Sequence, residues 1–315
     1  MSKRTYLVTG GAGFIGSHIV ERLARAGHRV RVLDNLFSGK EANLETIEGD
    51  VELIRADIRD VQAVADATRG VEVIFHQAAL GSVPRSVADP VTTHAVNLTG
   101  TVNLLVAARD ANVRRVVYAS SSSVYGETAA LPKHEELTPQ PLSPYALSKL
   151  AAEHYISVFH RVYGLEAVSL RYFNIFGPRQ DPESEYAAVV PRFVTALLEG
   201  KRPVIYGDGL QSRDFTYVEN VVDANLLAAE AEGAAGEAFN VACGGRYSLL
   251  DLLGRLKGII GRGIEPLHEA ARTGDVRNSQ ASLEKAQKGL GYQASIDFEE
   301  GLRRTVEWYR ERIGK

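Results

Sequence analysis

The stretch that most constrains this chain runs from Tyr6 to Leu23. A short apolar segment, Tyr6-Leu7-Val8, enters Thr9-Gly10-Gly11-Ala12-Gly13-Phe14-Ile15-Gly16, and Ile19, Val20 and Leu23 then recur at helical spacing. Gly10, Gly13 and Gly16 form G-x-x-G-x-x-G between a predicted strand and a predicted helix. Glycine permits a tight turn and lets backbone N–H groups approach an anion closely. The helix that follows points its positive end at the same place. Strand, glycine turn and helix together predict a pyrophosphate cradle, with Phe14 and Ile15 in its wall.

The next predicted strand, Arg29–Leu33, ends at Asp34. A carboxylate at the tip of a second strand accepts both hydroxyls of an adenosine ribose and repels a 2′-phosphate, which favours NAD over NADP. Asn35, Ser38 and Gly39 follow as a polar loop. The alternation then continues. Val51–Arg55 reads as a strand leading to Asp57 and Ile58, which suit contacts to adenine. Asp60–Thr68 reads as a helix. Val71–Phe75 reads as a strand followed by His76, Gln77, Ala78 and Ala79, small enough at the last two places for a cofactor to lie flat. Pro90–Ala111 reads as one long helix, with Asn97 a polar residue in reach of the strand-end loops, and Val116–Ala119 as the next strand. Repeated strand–helix alternation predicts an α/β fold with a doubly wound parallel sheet, and ligands beyond the carboxyl ends of its strands.

Two features further along bear chemistry. Ser120–Ser123 and Val124-Tyr125-Gly126 leave a strand as a hydroxyl-rich platform. After Leu131–Leu142, which is rich in Pro, Glu and Thr and reads as a surface loop, Ser143 and Pro144 form an N-cap and first turn. The helix they start carries Tyr145 and Lys149 one turn apart, on one face. A phenol with an ordinary pKa near ~10 is a poor base, and a neighbouring ammonium is expected to lower it. The pair reads as a general acid/base.

The alternation breaks near Asn174, where a smaller lobe is expected to begin. A loop at Gly177–Pro182 precedes a helix at Val189–Leu198, a strand at Val204–Tyr206, and a strand at Arg213–Val218 returning to the core. Helices follow at Ser248–Ile259 and Phe298–Arg310. The expected division is residues 1–174 with roughly 213–242 as the nucleotide-binding domain, and 175–212 with 243–315 as the second lobe.

Composition narrows the partners. A net charge of −3 over 315 residues excludes a broad basic surface for nucleic acid or an anionic membrane. No apolar run approaches the ~20 residues that span a bilayer, and no signal pattern precedes the first strand. The single cysteine, Cys243, allows no internal disulfide or thiolate cluster, so no metal is expected and a cytoplasmic setting is. Cys243 itself reads as a small buried residue.

Taken together, the motifs resemble the extended short-chain dehydrogenase/reductases, and within them the nucleotide-sugar epimerases of the UDP-hexose 4-epimerase type. The likeness rests on Thr9–His18, Asp34-Asn35, the serine run before Val124-Tyr125-Gly126, Ser143-Pro144-Tyr145 with Lys149, Arg171-Tyr172-Phe173-Asn174, and Arg213-Asp214. The resemblance implies that Tyr145 takes the proton from the sugar 4-hydroxyl, Lys149 holds the cofactor ribose, and Ser121 bonds the same sugar oxygen. The serine run leaves that hydroxyl open by a place or two. It implies further that Ser123 faces the sugar, Tyr172 lines the nicotinamide side, Asn174 meets the diphosphate, Arg213 and Arg272 clamp phosphates, and Asp275 accepts from the uridine ribose. Ser82 is expected to help hold the sugar or nicotinamide, and Val189 and Tyr206 to line the nucleotide-sugar pocket.

The implied reaction oxidises C4 to a 4-keto sugar, which turns over in the pocket and is re-reduced on its other face, with NAD tightly bound and regenerated each cycle. Dehydrating relatives carry an Asp-Glu pair before the Val-Tyr-Gly and decarboxylating ones a glutamate. Here Ser122 and Ser123 stand there, which favours epimerisation. The wall residue beside the sugar falls on Ser279, a small side chain that leaves room for a 2-acetamido group. Both N-acetylated and plain UDP-hexoses are therefore expected. UDP-glucuronate 4-epimerisation, and an NAD-binding regulator without catalysis, are the alternatives. The resemblance also implies a homodimer paired through Pro90–Ala111 and Pro144–Tyr163.

Overall fold

The computed structural model describes residues 3–183, 188–270 and 276–313. Among them the main sheet has seven strands, all parallel: β1 (Thr5–Thr9), β2 (Arg29–Asp34), β3 (Asp50–Arg55), β4 (Val73–His76), β5 (Arg115–Ser121), β6 (Glu166–Tyr172) and β7 (Ala238–Val241). Their order is β7-β6-β5-β4-β1-β2-β3. The chain builds outward from β1 through β2 to β3, then restarts beside β1 with β4. That reversal leaves a crevice at the carboxyl ends of β1 and β4, where such sheets take ligands.

Both sheet faces are covered, so the strands read as near-continuous apolar runs. Tyr6 and Val8 of β1 face one core and Leu7 the other. The first core is closed by α1 (Phe14–Arg25), whose Ile19, Val20 and Leu23 it buries. The second is closed by α2 (Val61–Thr68), α3 (Gly100–Asp110) and α4 (Pro144–Tyr163), through Val64, Leu104, Leu105, Ile156 and Phe159. Truncating a leucine, isoleucine or phenylalanine among these to alanine is expected to cost about 2–5 kcal/mol. A third core, rich in stacked and edge-on aromatic pairs around Phe298, joins α5 (Val189–Leu198), α6 (Val218–Glu230), α7 (Leu249–Ile260) and α8 (Phe298–Ile313).

Three expectations change. The long helix from Pro90 is interrupted by a π-turn at Ala95–Thr99 between Pro90–His94 and α3. The strand expected at Arg213–Val218 is two pairs, Ser212–Arg213 and Thr216–Tyr217, after which α6 begins. Val218, Val221, Val222 and Asn225 follow helical spacing, which outweighs the strand preference of β-branched residues. Leu131–Leu142 is not simply a surface loop: Lys133 is 1% exposed and bridges to Ala281.

Candidate active site

The crevice is a cavity of about 730 Å³, a usual size for a small-molecule site. Its first wall is the turn before α1. Gly10 has φ +66°, and a Cβ on Gly16 would lie 2.2 Å from the Gly10 carbonyl. Neither place tolerates a side chain, because the helix must start hard against the turn. Gly13 is the N-cap residue, so the opening N–H groups of α1 face the cavity lined by Gly10, Gly13, Phe14, Ile15 and Gly16.

At the tip of β2, Asp34 is buried and accepts hydrogen bonds from Ala12 N (3.0 Å) and Leu36 N (2.8 Å). Burial raises its carboxyl above the ordinary value, and those two N–H donors oppose the rise. Two acceptor positions serve the backbone, and a carboxylate has about four, so others remain for a ligand. Asn35, Ser38, Gly39, Asp57 and Ile58 continue this wall. Asn35 donates to Asp57 at 2.9 Å, and the Arg59 guanidinium, the largest influence, holds the Asp57 carboxyl well below its usual range.

Gln77, Ala78 and Ala79 floor the cavity beyond β4. Gln77 and Asn225 hydrogen-bond the Tyr172 hydroxyl, fixing its ring in the wall. Behind them His76 is held between Thr9 Oγ1 (2.7 Å) and Thr101 Oγ1 (2.9 Å), and burial pushes its imidazole down to about 3. Asn97 does not line the cavity. It accepts from Leu80 N (2.8 Å) and donates to Ser148 Oγ (3.1 Å), so the π-turn uses it to fix the loop after β4 against α4. Ser82 is likewise off the wall; its hydroxyl caps the helix Val83–Ala88 by accepting from Arg85 N.

The opposite wall carries Ser121, Ser123, Tyr145 and Lys149. Ser143 caps α4 by accepting from Ala146 N at 3.1 Å, which sets the helix so that Tyr145 and Lys149 face inward. Ser121 Oγ accepts from Ser123 Oγ at 2.9 Å. Burial raises the Tyr145 phenol, and a hydrogen bond with Ser121 opposes the rise. The expected lowering by Lys149 is not what governs the phenol. The ammonium lies 6.0 Å from the Tyr145 ring centre, donates to Ala119 O at 2.7 Å, and is itself pushed down to about 7 by burial.

Two residues that sequence reasoning passed over hold this wall. Glu153, two turns beyond Tyr145, accepts from Ser120 Oγ and forms a buried paired contact with Arg171 (Nη2–Oε2 2.8 Å, Nε–Oε1 3.0 Å). A carboxylate among the apolar positions of α4 was the available signal. Lys133, also passed over, lies in the same wall.

The smaller end is lined by Asn174, Arg213 and Ser279, the last 6% exposed. Arg213 donates to Ser212 O and Arg277 O. Asp214 accepts from the backbone of Cys243, Gly244 and Ala281, each at 3.1 Å, which fixes the segment bearing Arg213. Val189 and Tyr206 line an adjoining cavity of about 280 Å³ that shares Asn174 and Arg213 with the first. Arg272 and Asp275 lie outside the described residues. Burial pushes the half-buried Cys243 thiol up to about 11, an unreactive state. Among the described residues, no group of three or more His, Cys, Asp or Glu is placed to hold a metal ion, and no helix is long and apolar enough to cross a membrane.

A strap, Gly177–Pro182, crosses to α1 and the loop after β2. His18 Nε2 lies 3.0 Å from Pro178 O, Arg179 pairs with Glu21 at 2.7 Å, and Lys40 pairs with Asp181 at 2.9 Å. Gln180, between them, lines the cavity.

Comparison with known proteins agrees with this geometry. Residues 6–242 match the NAD dependent epimerase/dehydratase family. The chain belongs to that family. It is 43% identical over 310 residues to the UDP-glucose 4-epimerase of Mycolicibacterium smegmatis, covering 97% of this chain and 98% of that one. Among solved structures it resembles the UDP-N-acetylglucosamine 4-epimerase from Methanobrevibacter ruminantium M1, solved with UDP-N-acetylmuramic acid (TM-score 0.95, 40% identity, 99% and 100% of the two chains). It also resembles the Thermus thermophilus UDP-glucose 4-epimerase solved with NAD (TM-score 0.89, 41% identity, 97% and 99%). The cofactor of this epimerase family is NAD, and the residues present fit it: a glycine turn too tight for any Cβ faces the start of α1, and a buried carboxylate stands at the tip of β2.

Proposed function

We propose that this protein inverts C4 of UDP-hexoses, taking UDP-GlcNAc/UDP-GalNAc and also UDP-glucose/UDP-galactose. The observation that carries the reading is that Ser121 and Tyr145 share a cavity with the glycine turn, while no described carboxylate lines its sugar end. Among the described residues lining it, the acids are Asp34 and Asp57, both at the adenosine end. An elimination or decarboxylation needs an acid or base near C5; a proton shuttle at O4 does not.

NAD, when bound, supplies reversible hydride acceptance at the sugar carbon. Tyr145 Oη takes the O4 proton and returns it. Ser121 Oγ, hydrogen-bonded to the phenol, orients the same oxygen. Lys149, fixed by Ala119 O, holds the ribose of the cofactor. Asn174 and Arg213, shared by the two cavities, orient the diphosphate, and Ser279 leaves width beside the sugar. The cofactor stays bound between turnovers, a reading that the strap supports. Residues 1–174 with 213–242 form the cofactor domain, supported by β7 completing its sheet, and 175–212 with 243–315 the substrate lobe. Two copies pair through α4 and the helix from Pro90: Leu147, Val158 and Val162 are exposed along α4, and Val91 is exposed on the short helix Pro90–His94 that packs against it.

The test is a panel of UDP-glucose, UDP-GlcNAc and UDP-glucuronate with no added cofactor, followed for C4 epimers. Tyr145→Phe is expected to lose at least ~10²-fold in kcat, the scale of a general acid/base. Inversion at full rate in that variant, or absence of turnover in the parent, refutes the reading. Ser279→Tyr is expected to lose UDP-GlcNAc turnover selectively over UDP-glucose; undiminished UDP-GlcNAc turnover would remove Ser279 as the wall.

A further inference from the structure

Lys133 is a buried cation that the reaction above does not use. Its N–H donates to Gln280 O and its carbonyl accepts from Ser282 N, both at 2.8 Å, which sets it beside the segment carrying Ser279. Lys133, Ser279, Ser123 and Gly126 line the same cavity. An ammonium has three donors. Among the described residues this one has a single hydrogen-bond acceptor, Gly126 O at 3.0 Å, and the Tyr125 ring lies 5.9 Å away. No described carboxylate pairs with it. Glu135, two residues on, is turned to Asn240 N at 2.7 Å; Arg213 repels the ammonium, and Glu127 attracts it without forming an ion pair. A buried charge with unmet donors is costly until an acceptor completes it.

We infer that Lys133 donates to an acyl oxygen carried by the sugar ring, a 2-acetamido carbonyl or a carboxylate, and so selects substituted hexoses over plain ones. The inference rests on the UDP-hexose reading and deepens it: Ser279 only leaves room, whereas Lys133 supplies attraction. The chemistry is that of an ammonium-to-oxygen hydrogen bond, and two sugar classes present it.

The experiment measures kcat/KM of the parent, Lys133→Met and Lys133→Gln on UDP-glucose, UDP-GlcNAc and UDP-glucuronate. In Lys133→Met the ratio of UDP-GlcNAc to UDP-glucose, or of UDP-glucuronate to UDP-glucose, is expected to fall about tenfold or more, the size of one charge-assisted hydrogen bond. The arm that falls names the oxygen. Lys133→Gln, which keeps a neutral donor, falls less, and it carries the same ratio test if the methionine variant is too unstable to assay. Ratios within about twofold of the parent in both arms overturn the inference whatever the overall rate, because a folding defect lowers all three sugars together. A parent inactive on all three sinks the epimerase reading itself, whereas an active parent with unmoved ratios sinks Lys133 alone.

Discussion

His76 shows how a residue with no place in the chemistry still contributes to the protein's response to acid. Its ring is neutral in the fold, pushed down to about 3 by burial and, less, by the Lys149 charge, against an ordinary 6.5. The unfolded chain therefore binds the extra proton between those values. The contribution of this ring to stability is fully present above pH 6.5 and is lost as pH drops toward 3, by about 1.4 kcal/mol per pH unit. Denaturant titrations from pH 6 to 4 are expected to give a flatter decline in His76→Asn than in the parent; parallel declines would remove His76 as the cause. At this scale, Tyr145, Lys149 and Asp34 were legible because each follows a local signal, a helix cap or a strand tip. Lys133 and Glu153 were not: Lys133 is set by Gln280 and Ser282, more than a hundred residues away, and Glu153 by Ser120 and Arg171 on the two strands beneath α4. The direction of the Tyr145 shift was misread for a related reason: spacing reports a neighbouring charge but not the depth of burial.

Elements repeat the lesson. Strands β1 to β5 were read to within a few residues, because a parallel sheet covered on both faces leaves apolar runs too plain to miss. Helix α6 and strand β7 went unread: α6 opens with β-branched residues that imitate a strand, and β7 is only Ala238–Val241. The π-turn around Asn97 has no periodic signature. The strap at Gly177–Pro182 was read as a loop, yet its ion pairs reach α1 and the loop after β2. Removing both pairs with Arg179→Ala and Lys40→Ala is expected to speed dinucleotide release about tenfold, seen as cofactor lost on dialysis, with most of the effect from the largely buried Arg179–Glu21 pair rather than the exposed Lys40–Asp181 pair. Retention equal to the parent would show that the strap does not hold it. Gly16→Ala, whose methyl would meet the Gly10 carbonyl, is expected to lose both cofactor and about 1–3 kcal/mol of stability; unchanged melting would contradict the contact.

For the whole molecule, the exposed apolar line on α4 makes assembly testable. Leu147→Glu with Val158→Glu is expected to halve the mass seen by light scattering, because the pairing proposed through α4 would set charges at both places against each other. A mass unchanged by the pair of substitutions would move the interface elsewhere. The seventh strand has a different consequence, one that concerns synthesis. Its residues, 238–241, emerge only after the chain has left the sheet and come back, and they pair with β6, made some seventy residues earlier. Until the ribosome has released them, β6 presents a bare row of amide and carbonyl groups to every other nascent protein nearby. A message cut short anywhere between the codons for Tyr172 and Ala238 would thus yield not a working half but a sticky one.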